Sequence, residues 1–227
     1  MTDVAPNHLF APAPQPTVPI VGRDADYPVN RIFCVGRNYV AHATEMGGQV
    51  DREAPWYFCK TPSAYCPAGA TIAYAPGTSN LHHEVELVIA IGPGGEIFGS
   101  AVGVDLTRRD LQAIAKAASA PWESAKAFER SAPIGPITQG KVPAHGAICL
   151  SVNGALRQNA DLNTMTRSIP ELLQDLSELF ELQAGDLIFT GTPAGVSALQ
   201  PGDSVKAEID GLKPLEFSIR PSQETHR

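Results

Sequence analysis

Leu81-His82-His83-Glu84-Val85-Glu86-Leu87-Val88-Ile89-Ala90-Ile91-Gly92 decides how the rest of the chain is read. From Val85 it is a run of β-branched and aliphatic residues closed by Gly92-Pro93-Gly94-Gly95, the pattern of a buried strand and its turn. Side chains alternate faces along a strand, so Glu84 and Glu86 point the same way, with Cα atoms roughly 7 Å apart. Two carboxylates converging at the mouth of an apolar strand repel each other and lose hydration. The arrangement lasts only if a cation or a proton compensates. Oxygen-only ligands suit a hard divalent ion, Mg2+, Mn2+ or Ca2+, rather than zinc. Two solvated glutamates on an amphipathic edge strand would give the same letters, so this pattern alone leaves both readings open.

Residues around the strand narrow the choice. Ala101-Val102-Gly103-Val104-Asp105 reads as a further apolar strand that ends in an acid, and three carboxylates at strand ends form a Mg2+-like donor set with coordination to spare for a substrate. Residues 31–35 read as a short strand entering Gly36-Arg37-Asn38-Tyr39, and residues 40–46 have helical composition. His42 and Glu45, three apart, then share one helical face, as a general base and the carboxylate that fixes its tautomer. A lone helical histidine is commonly structural, and the paired glutamate is what makes this one a candidate. Trp56-Tyr57-Phe58-Cys59-Lys60 reads as a strand with an inward lysine.

Farther along, Thr107-Arg108-Arg109-Asp110 resembles a capping box, with Leu111, Ile114 and Ala115 as the apolar face of the helix behind it. Residues 119–140, with Pro121, Pro133 and Pro136, read as loop. Residues 148–152 lead into an Asn153-Gly154 hairpin turn. The clearest helix spans 169–182, capped by Ser168 and Glu171, with an apolar stripe of Ile169, Leu172, Leu173, Leu176, Leu179 and Phe180. Residues 187–190, 204–209 and 215–219 supply further strands. Many short strands and few helices, without repeated βαβ alternation, exclude a doubly wound fold. Gly191-Thr192-Pro193 follows an apolar strand and offers N–H groups and a hydroxyl to an anion. No Lys-Ser/Thr follows it, so it is not a nucleotide-binding P-loop.

The 227 residues are 43% hydrophobic and 18% charged, values of an ordinary globular chain with a substantial core. A net charge of −7, without any Lys/Arg cluster, argues against a nucleic-acid partner. Cys34, Cys59, Cys66 and Cys149 show no metal-binding spacing and read as reduced, buried thiols. No apolar run approaches the ~20 residues of a membrane span and no signal pattern is visible, so a cytoplasmic protein without a membrane partner is expected. Residues 1–19 carry five prolines, Pro6, Pro12, Pro14, Pro16 and Pro19, and read as an extended arm before a single domain over 20–227.

Six separated blocks resemble one family. Gly36-Arg37-Asn38-Tyr39-x-x-His42-x-x-Glu45-Met46, Lys60-Thr61-Pro62-Ser63, His83-Glu84-x-Glu86-Leu87, Asp105-Leu106-Thr107-x-Arg109-Asp110-x-Gln112, Lys126-x-Phe128 and Thr190-Gly191-Thr192-Pro193-x-Gly195-Val196 look like the fumarylacetoacetate hydrolase family, in its order. The resemblance is strongest to its bacterial fumarylpyruvate-cleaving branch of gentisate breakdown, and next to its acylpyruvase and oxaloacetate decarboxylase branch.

The resemblance implies an α+β, mostly β fold, a mixed β-sheet roll of β-clip type with a few short helices. It also implies a homodimer and one Mg2+ or Mn2+ per subunit. Carried over, Glu84, Glu86 and Asp105 are the metal ligands, and His42 with Glu45 the water-activating dyad. Lys126 is a second electrophile or proton donor. Arg37, Lys60, Arg109, Gln112 and Thr192 surround the oxoacid. The implied reaction is hydrolysis of the C–C bond of a small dicarboxylic 2,4-dioxo acid. A decarboxylase or hydratase on the same site, or a non-catalytic metal-binding β scaffold, are the alternatives. A fumaryl donor brings a distal carboxylate whose cation the sequence does not identify, Arg37 and Arg157 being guesses. Substrate choice is expected in the loop 47–54 and in 118–131.

Overall fold

The strand Val85–Ile91 is buried at every position because both of its faces are covered. In the computed structural model, which describes residues 8–48 and 55–222, it pairs antiparallel with Ile97–Val104 on one side and Leu187–Phe189 on the other. These strands are the middle of an eight-stranded sheet. Its path runs Trp56–Lys60, Ile32–Gly36, Leu187–Phe189, Val85–Ile91, Ile97–Val104, Ala132–Ile134 and Tyr65–Pro67, with Thr138–Gln139 also paired to Ile97–Val104. Leu187–Phe189 is parallel to Ile32–Gly36, and Ala132–Ile134 to Tyr65–Pro67, so the sheet is mixed. A second, five-stranded sheet runs Ala155–Asp161, Ala147–Val152, Ser204–Ile209, Leu215–Arg220 and Thr71–Ala73.

Val85, Leu87, Ile89 and Ile91 share one core with Ile148, Leu150, Val205, Ala207, Leu215 and Phe217 of the second sheet. Val88 and Ala90, on the opposite face, join a smaller core with Ile32, Cys34, Ala101, Leu187 and Phe189. With neither face in water, the strand needs no polar alternation, which is why its sequence is apolar at every position but Glu86. The α+β, mostly β class expected from the sequence is what the chain adopts. Its described residues include helices α1 (Val40–Glu45), α2 (Arg109–Ala117), α3 (Glu123–Lys126) and α4 (Ile169–Leu179). Among the described residues, no helix is long and apolar enough to cross a membrane.

Several local readings are corrected. Thr107 does not cap α2: the helix starts after Arg108 without a side-chain cap, and Asp110 instead accepts from Thr78 Oγ1, Ser79 N and Leu111 N. The buried face of α2 is Arg109, Gln112 and Ala115, with Ile114 exposed, because this helix packs on an ionic cavity rather than on apolar core. α4 stops at Leu179, leaving Leu179 63% exposed. Its start is as read, the Glu171 carboxylate accepting from both the N–H and the hydroxyl of Ser168. Residues 119–140 are not all loop but contain α3 and two short strands. The four cysteines are free thiols, yet Cys59 is exposed because its side chain points away from inward Lys60. At the end of the Pro-rich stretch, Thr17–Pro19 pairs with Asp26–Pro28 and Val18 is buried in the smaller core, so those residues belong to the body. Residues 1–7 of that stretch, most of the loop 47–54 and residues 223–227 lie outside the described residues.

Candidate active site

Strand register assembles the acids. Glu86 lies opposite Gly103, and Asp105 N–H donates to Glu84 O at 2.8 Å, so all three carboxylates fall on the face that carries Val88 and Ala90. A Cβ on Gly103 would come within 2.5 Å of Val88 Cγ2 and 2.8 Å of Phe189 Cε1, so the sheet closes there only around glycine. One oxygen from each of Glu84, Glu86 and Asp105 lies within 4.8 Å of the others, and all three residues are buried.

Cations surround this cluster unevenly. Lys126 Nζ donates to Glu84 Oε2 (2.9 Å), Asp105 Oδ2 (2.6 Å) and Thr107 Oγ1 (2.6 Å), and Arg109 Nη2 pairs with Glu84 Oε1. Burial opposes ionisation of Glu84, but Lys126 and Arg109 hold its carboxyl well below the ordinary range. Glu86 accepts from Gly191 N–H at 2.6 Å and has no cation bound to it among the described ion pairs. Burial, then Asp105 and Glu84, push it well above the ordinary range. Asp105 Oδ1 is 2.8 Å from Lys60 Nζ but receives no directed hydrogen bond. Glu86, driven toward protonation with no cation beside it among the described residues, is relieved by a hard divalent cation. The residues present therefore fit one.

The acids open into a cavity of about 30 Å³, room for roughly one or two water-sized bodies. Of the residues expected at the site, Arg37, His42, Glu84, Glu86, Asp105, Arg109, Gln112, Lys126 and Thr192 line it. Two stand behind. Lys60 is 2% exposed, and its ammonium is spent on Asp105, Ser131 Oγ (2.9 Å), Leu106 O (3.3 Å) and Lys126 O, so it holds Asp105 rather than facing the cavity. Glu45 supports the histidine: its Oε2 is 3.4 Å from His42 Nδ1, and Gly195 N–H donates to both its oxygens at 3.1 and 3.2 Å. Burial lowers the His42 pKa below that of free imidazole, so the ring is neutral at pH 7 and free to accept a proton. Lys126 moves the other way, because Asp105 and Glu84 outweigh its burial. It is a fixed positive charge rather than a ready acid. Arg157 is exposed and lines no part of this cavity.

Other wall residues carried no motif: Phe58, Trp122 and Lys116. A supporting network was also missed. Gln158 is fully buried; its Nε2 donates to Thr192 Oγ1 (2.8 Å) and Pro193 O (2.9 Å), and its Oε1 accepts from Val85 N (3.1 Å). Since Oε1 is thereby an acceptor, His83 Nδ1 donates to it at 2.8 Å and His83 Nε2 accepts from Ser197 Oγ at 2.8 Å. Thr192 accepts from Gln158, which leaves its own O–H to donate into the cavity.

Residues 31–220 match the family model described as fumarylacetoacetate hydrolase C-terminal. A fumarylpyruvate hydrolase of Ralstonia sp is 40% identical over 78% of this chain and 100% of its own length. An oxaloacetate tautomerase of Escherichia coli is also 40% identical, over 82% of this chain and 91% of its own. The crystal structure of fumarylpyruvate hydrolase from Pseudomonas aeruginosa in complex with Mn2+ and pyruvate superimposes with a TM-score of 0.92 at 45% identity, covering 95% of this chain and 100% of that one. With the three acids, the His42–Glu45 pair and the fold already in place, these likenesses establish that the chain belongs to the fumarylacetoacetate hydrolase family.

Proposed function

We propose that this enzyme hydrolyses the C3–C4 bond of fumarylpyruvate, releasing fumarate and pyruvate, as a step of gentisate breakdown. The observation that carries the reading is the meeting, in one cavity, of a buried three-carboxylate donor set with a neutral, carboxylate-supported histidine. Glu84, Glu86 and Asp105 would hold one Mg2+ or Mn2+ per subunit, which when bound supplies Lewis-acid stabilisation of negative charge at the 2-oxo acid end. Thr192 O–H and the Arg109–Gln112 pair, joined at 2.6 Å, orient the oxoacid carboxylate. His42 Nε2 takes a proton from water directed at the 4-oxo carbon, while Glu45 at Nδ1 fixes the tautomer and steadies the imidazolium that forms. As C3–C4 breaks, the electron pair passes to the pyruvate enolate. Lys126 stabilises that charge electrostatically, and C3 regains a proton from His42 or solvent. The reading extends to a cytoplasmic homodimer, supported by the family resemblance and checked by light scattering.

A second reading, tautomerisation or decarboxylation of oxaloacetate on the same donors, is favoured by the equal identity of the Escherichia coli relative. Tautomerisation only moves a proton, and decarboxylation releases CO2 and leaves a pyruvate enolate to be protonated at C3; neither consumes water. His42→Ala tests the proposal. The variant should keep its fold and bind Mn2+ as wild type, yet lose at least ~10²-fold in fumarylpyruvate kcat, the lower end for a general base. Unchanged turnover would remove His42 from the mechanism.

A further inference from the structure

The 30 Å³ cavity at the acids cannot contain a seven-carbon dioxo acid, but it shares a wall with a much larger chamber. Arg37, Phe58, Lys116 and Trp122 line both. The second chamber has a volume of about 670 Å³, within the range of small-molecule sites. Its walls are aromatic and cationic. Trp56 and Trp122 pack against each other in a tilted pair, ring centroids 5.6 Å apart and planes at 51°, and the Arg37 guanidinium lies 4.4 Å over Trp56, carried there by a left-handed backbone (φ 60) at Arg37. Strain of this kind at a non-glycine residue is characteristic of functional positions.

Among the described residues, no counter-ion accompanies Lys116 on this wall. Lys116 sits on the last turn of α2, one turn beyond Gln112 and on the same side, which aims it along the path leading out of the oxoacid site. Its ammonium rests 5.0 Å over the Trp122 ring and, among the described residues, pairs with no carboxylate and donates no hydrogen bond. Burial, then Arg109 and Arg37, lower its pKa to about 8, the mark of a desolvated ammonium in a positive environment that an anion would relieve. Glu123, the acid of the chamber wall, is exposed and does not neutralise it. Arg109 and Lys126, the other cations nearby, are already bound to Glu84.

We propose that this chamber is the acyl subsite and that Lys116 is its specificity-determining residue, binding the distal carboxylate of a dicarboxylic acylpyruvate beside the Trp122–Trp56 pair. The inference rests on the hydrolase reading for its substrate and leaves the chemistry at the acids unaltered. It selects anionic acyl groups over neutral ones of similar size. A charged hydrogen bond of this kind gives about tenfold to a hundredfold discrimination.

Both tryptophans of the chain, Trp56 and Trp122, line the chamber, so intrinsic fluorescence reports its occupancy without any turnover. Titrating the Mn2+-loaded protein with fumarate should give a saturable change, with Kd raised at least tenfold in Lys116→Gln and restored to within about threefold in Lys116→Arg. Fumaramide should bind equally weakly to all three. In parallel, the ratio of kcat/KM for fumarylpyruvate over acetylpyruvate should fall at least tenfold in Lys116→Gln and recover in Lys116→Arg. Fumarate binding that is indifferent to Lys116, or a ratio that does not change, overturns the subsite assignment even if hydrolysis is intact. Lys116-dependent fumarate binding in a protein that hydrolyses neither substrate sinks the hydrolase reading and leaves the anion subsite standing.

Discussion

Replacing Gln158 with leucine removes a side chain of similar size from the middle of four hydrogen bonds. In the native protein the amide uses its whole capacity, accepting from Val85 N and His83 Nδ1 and donating to Thr192 Oγ1 and Pro193 O. Leucine leaves two donors without an acceptor in a fully buried place, each costing about 1–3 kcal/mol. The two acceptors lose less, since Thr192 can turn its hydroxyl. With part of this offset by burying an apolar side chain, the net loss is about 1–5 kcal/mol, or roughly 2–20 °C in Tm for a chain of this length. Urea melts of both proteins in EDTA, so that metal affinity does not enter, measure the stability term. Mn2+-loaded kinetics then read the consequence for Thr192, an expected loss of at least tenfold in kcat/KM. A stability loss under 1 kcal/mol would refute the network's role, and so would an unaltered kcat/KM in a variant that is clearly destabilised.

Three further outcomes follow from the site. Glu86 has a folded-state pKa raised by burial, Asp105 and Glu84, so the metal-free native state binds more protons than the unfolded chain and its stability falls as pH rises above the ordinary carboxylate range. In EDTA, Glu86→Gln should therefore be more stable than wild type at pH 8 and show a weaker pH dependence, while Mn2+ should raise the Tm of wild type only. Because the His42 pKa is lowered, the acid limb of kcat/KM should lie below pH 6.5, and Glu45→Gln, which removes a contact that raises that pKa, should move the limb lower still while reducing kcat. An acid limb above 7 would exclude His42 as the base. Gly191 has φ 96, and a Cβ there would meet Asn38 Cβ at 2.7 Å; Gly191→Ala should cost more than about 2 kcal/mol and weaken Mn2+ binding, since the Gly191 N–H holds Glu86.

Much of this was visible in the letters because the physics is local. A run of aliphatic residues ending in Gly-Pro-Gly-Gly reads as a buried strand, and the acids at its mouth stand out against it. α4 announces itself through Ser168, Glu171 and its stripe. What escaped depends on distant partners. α2 was read by its leucine and isoleucine, yet its buried face is Arg109 and Gln112, since the surface opposite is ionic. Gln158 sits in a strand whose burial runs exposed-exposed-exposed-buried-exposed from Ala155 to Asn159, so a single inward polar residue gave no alternation to detect. Lys60 reads as inward from its strand, but only the neighbouring Asp105, 2.8 Å away, shows that it faces that acid rather than the cavity. Lys116 looks like any lysine near a helix C-terminus, and its meaning comes from Trp122 and Arg37, which the fold brings from elsewhere in the chain.

The most direct measurement follows the dioxo-acid absorbance of fumarylpyruvate with the purified, Mn2+-loaded protein, while pyruvate and fumarate are quantified and oxaloacetate is offered in parallel. Loss of the chromophore with one pyruvate and one fumarate released per substrate, abolished by EDTA and restored by Mn2+ or Mg2+, is the expected result. Enol–keto exchange or decarboxylation of oxaloacetate, with fumarylpyruvate left intact, would contradict the hydrolase and assign the same three acids to its tautomerase and decarboxylase relatives.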